Sequence, residues 1–389
     1  MGRNSHIDFE LIEDDAAFAR LVDRLVEQDR FAIDTEFHRE RTYFPQVALV
    51  QVADAHGIAL VDALAVDLQP FARVLDGPGL AVMHAARQDL EVLDRACGTI
   101  PSRLVDTQML AGFLGYTSPS LSTLLDRELQ VSAPKADRLT DWLRRPLGAA
   151  QLTYAAADVA NLLALHDSLW ERVTARDRVA WAEEACEELR TEDRSPRDPR
   201  DAWRRIKEIR HLRSSALAVA QAVAEWRERK AIELDQTPRF ILSDLGVVGV
   251  SSSVPHTVDE LRSLRGVDGR NLRGGMAEEL LVVVAEAQGR TPARAPASSV
   301  PEMPTELRPA VPLVSAWVSQ RARDLDLETS LLATRADLED LLRGVPGARL
   351  TMGWRAEIVG EPIRRLVEGE AALAFDREVG LRLEPRAMG

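Results

Sequence analysis

Short β-rich runs at 31–36, 47–53, 58–61 and 80–84 alternate with longer stretches of helical period over roughly the first half of the chain. A chain patterned this way buries its apolar residues by laying helices on a sheet. The first three runs are joined by short connections rich in Pro, Asp, His and Gly, too brief for helical crossovers, so antiparallel neighbours are expected there. Helical period at 87–96, 121–128 and 149–172 supplies the covering layer. The expectation is an α/β domain built on a mixed sheet.

At 389 residues the chain exceeds what one hydrophobic core serves, so two or three domains are expected. After Ala182 the composition shifts to charge, and 191–199 is polar with two prolines, which marks a boundary. From 201 to 288 the pattern is all-helical, about five helices, with Leu217, Val219, Val223 and Trp226 at helix-compatible spacings and breaks at Pro238, Pro255 and Gly274-Gly275. Residues 291–309 repeat Pro, Ala and Ser without apolar period, as a linker does. A second helical region runs over 311–370, with Trp317, Leu325, Leu338, Leu341 and Leu342 as its candidate core. The expected division is therefore 1–193, 200–289, a linker at 290–308, and 309–389.

Several function classes are disfavoured. Cys97 and Cys186 are the only cysteines, too few and too far apart for a disulfide scaffold or a cysteine zinc site, and a reducing compartment is expected. The first twenty residues are too polar for a secretory signal and no run is apolar enough to span a membrane, so the cytoplasm is the expected location. Acidic residues outnumber basic ones 62 to 49, and the net charge of −13 argues against a surface coated throughout with phosphate-binding cations. A local basic groove remains compatible with it.

In the run Phe31-Ala32-Ile33-Asp34-Thr35-Glu36-Phe37, strand alternation puts Asp34 and Glu36 on one face. Two carboxylates beside Phe31, Ile33 and Phe37 repel one another and destabilise the strand unless divalent cations bind between them, and oxygen-only ligands point to magnesium or manganese. The same acidic spacing recurs at Asp326/Glu328 and Asp337/Glu339 as solvated helix surface, so the pair gains meaning from its apolar strand. His84 is followed five residues later by Asp89 where a strand gives way to a helix, a place that suits either a metal ligand or an acid favoured by the helix dipole. Tyr154 and Asp158, at i,i+4 across three alanines, share a helix face. Asp106, at another strand end, fits a capping role or a contact to metal or substrate. The stretch 135–146 mixes Lys135, Arg138, Arg144 and Arg145 with Trp142, a composition suited to phosphates and a stacked base, although Trp142 also suits a core.

The order Asp-x-Glu, then Asp, then Tyr-x-x-x-Asp resembles the three motifs of the exonuclease family named for its four acidic residues, in the DEDDy subclass whose third motif carries tyrosine. Around these motifs, DTEFHRERTYFPQVALVQVAD, HAARQDLEVL, VDTQMLAGFLG and DWLRRPLGAAQLTYAAADVANLL resemble the ribonuclease D family over about residues 28–172. The resemblance implies a ribonuclease H-like mixed-sheet exonuclease domain followed by all-α HRDC bundles. It further implies that Asp34, Glu36, Asp89 and Asp158 hold two divalent cations, Mg2+ or Mn2+, while Tyr154 orients the attacking water. One metal would lower the pKa of that water, the other would stabilise the leaving 3'-oxygen, and nucleoside 5'-monophosphates would be released. The metals then generate the nucleophile, so the two cysteines are read as core residues.

Residues 201–288 are similar to the HRDC module shared by ribonuclease D and RecQ-type helicases, with Trp203, Leu212, Trp226, Arg227, Ala231, Pro238, Leu261, Gly266 and Gly274 where that pattern puts them. The region 311–370 resembles a second, degenerate copy. Between 197 and 230 ten Lys/Arg face five Asp/Glu, a local excess that suits either a nucleic-acid backbone or a salt-bridged surface. The Gly- and Val-rich stretch 244–250 departs from the helix expected there. Phe37, His84, Trp142, Arg204 and Lys207 are the candidate substrate contacts, with His84 also readable as structural. The partner implied by the resemblance is RNA, tRNA precursors and other small structured RNAs, with no membrane and no obligatory protein partner. A DNA exonuclease and a catalytically silent RNA-binding protein are the alternatives. The absence of a G-x-x-x-x-G-K-[ST] helicase loop and the order nuclease-then-HRDC favour ribonuclease D.

Overall fold

The computed structural model describes residues 7–132, 140–212, 214–269, 271–292 and 302–386. Its main sheet has six strands in the order β1-β4-β3-β2-β5-β6: β1 (Glu10–Ile12), β2 (Arg30–His38), β3 (Gln46–Asp54), β4 (Gly57–Asp62), β5 (Leu80–Met83) and β6 (Leu104–Asp106). β3 and β4 are antiparallel, whereas β1 with β4, β2 with β5, and β5 with β6 are parallel, so the sheet is mixed as expected. The outermost strand β1 is an addition to the sequence reading, and β6 is the strand whose end that reading placed at Asp106 without giving its bounds. Three residues each are too few to display a period of two.

Alternation along β2 separates two cores. Phe31 and Ile33 pack with Val50, Val52, Ala86, Leu90 and Leu93, on the side covered by the helices Asp15–Val26 and Arg87–Cys97. Ala32 packs with Val82, Val105, Val159, Leu162 and Leu165, on the side covered by the helices Ala149–Ala160 and Leu162–Ala175. By the same alternation Asp34 and Glu36 leave β2 on the second side and Thr35 on the first.

Two compact units are resolved, one comprising 1–36, 47–192 and 298–389 and the other 37–46 and 193–297 in their described parts. In the first, the C-terminal segment expected to stand apart as 309–389 shares the core of the α/β domain. It contains the helices Ala310–Asp324, Arg335–Arg343 and Glu361–Val367 and ends in an antiparallel hairpin, β7 (Ala371–Asp376) with β8 (Gly380–Pro385), that helical patterning did not foretell. Trp317, Leu338 and Leu342 are buried as expected, in the same cluster as Phe113, Leu124 and Val159. Trp354 stacks on Trp181 with ring centroids 4.8 Å apart and meets Phe113 edge-on at 5.7 Å. Arg355, fully buried, covers the Trp354 ring and donates to Leu331 O at 2.7 Å and to Glu188 at 2.6 Å. Arg178 donates to Phe113 O at 2.6 Å and to Leu325 O, and Glu328 N donates to Gly112 O at 2.8 Å. The segment is thus joined to the helices of the α/β domain by a common core and by hydrogen bonds.

The second unit contains five α-helices among its described residues, Ser214–Glu233, Pro238–Ile241, Asp244–Ser253, Val258–Ser263 and Met276–Ala287, preceded by 3-10 turns at Pro199–Arg205 and Lys207–His211. The Gly- and Val-rich stretch is helical after all. Gly246 permits it, because a Cβ there would lie 2.6 Å from Gly266 O, and Ser243 caps the helix by accepting from Gly246 N at 3.0 Å. Residues 40–44 join this unit: Tyr43 donates to Glu228 at 2.6 Å, the backbone N–H groups of Tyr43 and Phe44 donate to Asp235, and Thr237 Oγ1 donates to Glu40 O at 3.0 Å. Of the expected linker at 290–308, residues 293–301 lie outside the described residues, and Thr305–Leu307 forms a 3-10 turn. No helix among the described residues is long and apolar enough to cross a membrane.

Candidate active site

Asp34, Glu36 and Asp158 bring carboxylate oxygens within 4.8 Å of one another. β2 delivers the first two by alternation. The third arrives on the helix Ala149–Ala160, whose Ala155, Ala156 and Ala157 are buried and small enough to let its backbone approach the sheet. One turn before Asp158, Tyr154 shares its face and donates its phenol hydrogen to the Asp158 carboxylate. The Tyr154 ring in turn rests near Trp142, with centroids 6.2 Å apart.

The electrostatics are those of an anion cluster. Burial, followed by the charges of Asp89, Asp158 and Glu36, holds the Asp34 carboxyl well above the usual carboxylate range, with a Thr35 N–H hydrogen bond opposing. Glu36 is pushed up to about 8 by burial and by Asp158 and Asp89. Burial also raises Asp89 to about 6 against hydrogen bonds from Thr35, and it raises the Tyr154 phenol together with the charges of Asp158 and Glu36. The charges that act on Asp34 and Glu36 are thus negative, the donors are oxygens, and the side chains remain partly accessible. That set suits hard divalent cations, which would relieve the repulsion.

Asp89 approaches from the other side of β2. It lies 6% exposed in the first turn of the helix Arg87–Cys97 and accepts from Thr35 Oγ1 at 2.5 Å, close enough for its charge to act on Asp34 and Glu36. The turn that launches this helix is held by Asp106. Its carboxylate accepts from Ala85 N at 3.0 Å, Ala86 N at 2.8 Å, Gln108 N at 2.8 Å and Met109 N at 3.3 Å. Ala85 has φ 56, a left-handed conformation unfavourable for a residue with a Cβ, and Asp106 stabilises it. The capping alternative for Asp106 therefore holds. Asp106→Ala should destabilise the protein by roughly 3 kcal/mol, since one buried and three part-buried donors lose their acceptor. Urea unfolding measures this, and a loss below about 1 kcal/mol contradicts the clamp.

Other candidates separate. Trp142 is 8% exposed and packs with Ala48, Leu49, Leu60, Ala155 and Ala156, so it has no open face for a base and belongs to the core beneath Tyr154. The basic stretch before it, including Lys135 and Arg138, lies outside the described residues. Arg145 anchors Trp142 by donating to Asp62 at 2.5 and 2.7 Å, to Ala48 O at 2.7 Å and to Trp142 O at 2.7 Å. Against the burial that would raise it, these bonds hold Asp62 below its ordinary range. His84 shares a hydrogen bond with Thr107 at 2.9 Å, and burial lowers its pKa, as befits a structural residue.

Phe37, half-buried at the end of β2, belongs to the second unit, as do Arg204 and Lys207. Arg204 pairs with Asp201 at 3.1 Å and covers the Trp203 ring, whereas Lys207 is exposed. Arg200, Arg205, Arg227, Arg229 and Lys230 also pair, with Asp198, Glu228, Asp244, Glu225 and Glu233. Most of the local basic excess is therefore salt-bridged surface. Thr35 was not singled out by sequence reasoning, and Arg145 was named there only as one cation of a basic stretch suited to phosphates. Thr35 carries a signal in retrospect, a hydroxyl between two acids where the strand turns an inward side chain toward a helix start.

Residues 9–174 match a family described as 3'-5' exonuclease, and residues 216–284 match the HRDC domain. A ribonuclease D from Acidiphilium cryptum is 34% identical over 377 residues, covering 94% of each chain. That of Escherichia coli K12 is 32% identical over 380 residues, covering 93% of this chain and 99% of its own. The crystal structure of Escherichia coli RNase D, an exoribonuclease involved in structured RNA processing, aligns with a TM-score of 0.80 at 30% identity over 93% of this chain and 99% of that one. The catalytic core of RRP6 from Trypanosoma brucei shares the fold, with a TM-score of 0.64 at 24% identity over 74% of this chain and 81% of that one.

Proposed function

This chain belongs to the ribonuclease D family and is a 3'-5' exoribonuclease, and from that premise we propose that it trims the 3' ends of structured RNAs such as tRNA precursors, releasing nucleoside 5'-monophosphates at a site of two divalent cations. The convergence of Asp34 and Glu36 of β2 with Asp158 of the helix Ala149–Ala160 within 4.8 Å carries this reading. Asp89, whose charge acts on both residues of β2, completes the ligand set. These acids would hold Mg2+ or Mn2+, which would supply an acidified water for attack on the terminal phosphodiester and a counter-charge for the leaving 3'-oxygen.

The side chains do the rest. The raised Tyr154 phenol stays protonated at working pH, so it donates to Asp158 while its oxygen lone pairs accept from the attacking water and orient it. Trp142 and the Arg145 clamp keep that ring in place. Lys207, exposed ahead of the residues that match the HRDC domain, adds sequence-independent attraction for the RNA backbone. The test is release of mononucleotides from matched 3'-labelled RNA and DNA with Mg2+, Mn2+ or chelator. Cation-dependent release from RNA in preference to DNA is expected. Equal or faster release from DNA would replace RNA as the substrate, and no release from either polymer would leave the catalytically silent RNA-binding protein.

The site also sets a pH dependence. Glu36 has a folded pKa of about 8, above its ordinary value, so its contribution to the stability of the metal-free fold is fully present below the ordinary carboxylate range and is lost as pH rises toward and through 8. Cations require the ionised form. Mn2+ affinity should therefore increase on the order of tenfold between about pH 6 and pH 8, with proton release on binding. Calorimetric titration in buffers of different ionisation enthalpy measures both, and affinity independent of pH contradicts the assignment.

A further inference from the structure

We propose that Thr35 is a positioning residue for the exonuclease reaction, its hydroxyl fixing the carboxylate of Asp89 so that this acid meets the cations held by Asp34, Glu36 and Asp158. The proposal rests on the reading that Asp89 is a metal ligand.

Asp34 and Glu36 stand on one side of the sheet with Asp158, while Asp89 belongs to a helix packed on the other side. An acid that must act from across a strand needs its carboxylate held, because an Asp side chain free to rotate spends much of its time in other rotamers. The strand residue placed by alternation toward that helix is Thr35, 5% exposed, and its Oγ1 donates to Asp89 Oδ1 at 2.5 Å. The Thr35 backbone N–H adds hydrogen bonding to the carboxylates of both Asp34 and Asp89. A single residue is therefore tied to acids from both sides of the sheet.

The hydroxyl is the component that mutation can remove cleanly. Valine has the shape and the β-branched stiffness of threonine, so Thr35→Val keeps strand preference and packing volume and deletes only the donor. Serine keeps the donor and loses a methyl group. A role in packing alone would make Thr35→Ser the worse variant, and a role in positioning makes Thr35→Val the worse one.

The experiment compares the full chain with Thr35→Val, Thr35→Ser and Asp89→Asn by calorimetric Mn2+ titration, by turnover of 3'-labelled RNA, and by thermal unfolding in chelator. Thr35→Val should weaken Mn2+ binding roughly tenfold and lower kcat about 10- to 100-fold, with KM for RNA within about twofold of the parent. Thr35→Ser should recover Mn2+ affinity and kcat to within about threefold. In chelator all variants should unfold in one transition. Wild-type Mn2+ affinity and kcat in Thr35→Val, with Asp89→Asn impaired in both, would overturn the role of Thr35 and leave Asp89 in place. Wild-type behaviour of Asp89→Asn would instead remove Asp89 from the ligand set. Greater loss in Thr35→Ser than in Thr35→Val, accompanied by lower thermal stability, would assign Thr35 to packing.

Discussion

Asp34→Asn should lower RNA turnover on the order of 1000-fold or more while leaving the metal-free protein at least as stable as the parent at neutral pH. The two halves of this expectation have one cause. Burial and three neighbouring carboxylates hold Asp34 well above its ordinary range, so its ionised form is unfavourable in the empty site. An amide of the same shape removes that repulsion and also removes a hard anionic ligand that a divalent cation needs. Turnover of 3'-labelled RNA with Mg2+ or Mn2+, alongside urea unfolding in chelator, reads both effects. Activity within tenfold of the parent would contradict the ligand role. A large loss of stability in chelator would show that Asp34 is structural instead.

The second large effect concerns Trp354, far along the chain from the acids. Trp354→Ala should destabilise the nuclease unit by about 3–5 kcal/mol, because a buried ring stacked on Trp181, edge-on to Phe113 and covered by Arg355 leaves a cavity that these neighbours cannot fill. Trp354→Phe is the control. The indole N–H is buried with no hydrogen-bond partner among the described residues, so deleting it should cost much less than deleting the ring. Because the C-terminal segment shares a core with the nuclease helices, both should unfold in one transition. Denaturant unfolding followed by tryptophan fluorescence and by exonuclease activity tests this. Activity that survives the fluorescence change of Trp354→Ala would show that the segment is a separate body.

The acids of the candidate site were legible in the sequence because each belongs to a local pattern. Asp34 and Glu36 stand out as charges on an apolar strand, Tyr154 and Asp158 share a helix face, and Asp89 follows a strand end. The strands 31–36, 47–53, 58–61 and 80–84 were legible for the same reason, since each is long enough to show its period or its apolar run. Trp142 shows the limit of such reading. A tryptophan among basic residues has the composition of a nucleic-acid contact, but its burial depends on Ala48, Leu49 and Leu60, distant in sequence and brought together by the sheet. The C-terminal segment shows it again, for helical period reports that a face is apolar without saying what covers it.

For the acid cluster itself, the sequence alone determined which side chains are candidates for the chemistry, because residue type and local period fix both the ligand chemistry and the face of each element. Tertiary structure decided how they meet. Asp158 reaches β2 because three alanines let a helix approach the sheet, and Asp89 comes from the opposite side, held by Thr35 and launched from a turn clamped by Asp106. These arrangements depend on contacts between residues about 20 to 120 positions apart, and no local pattern encodes which of the many possible long-range contacts will form.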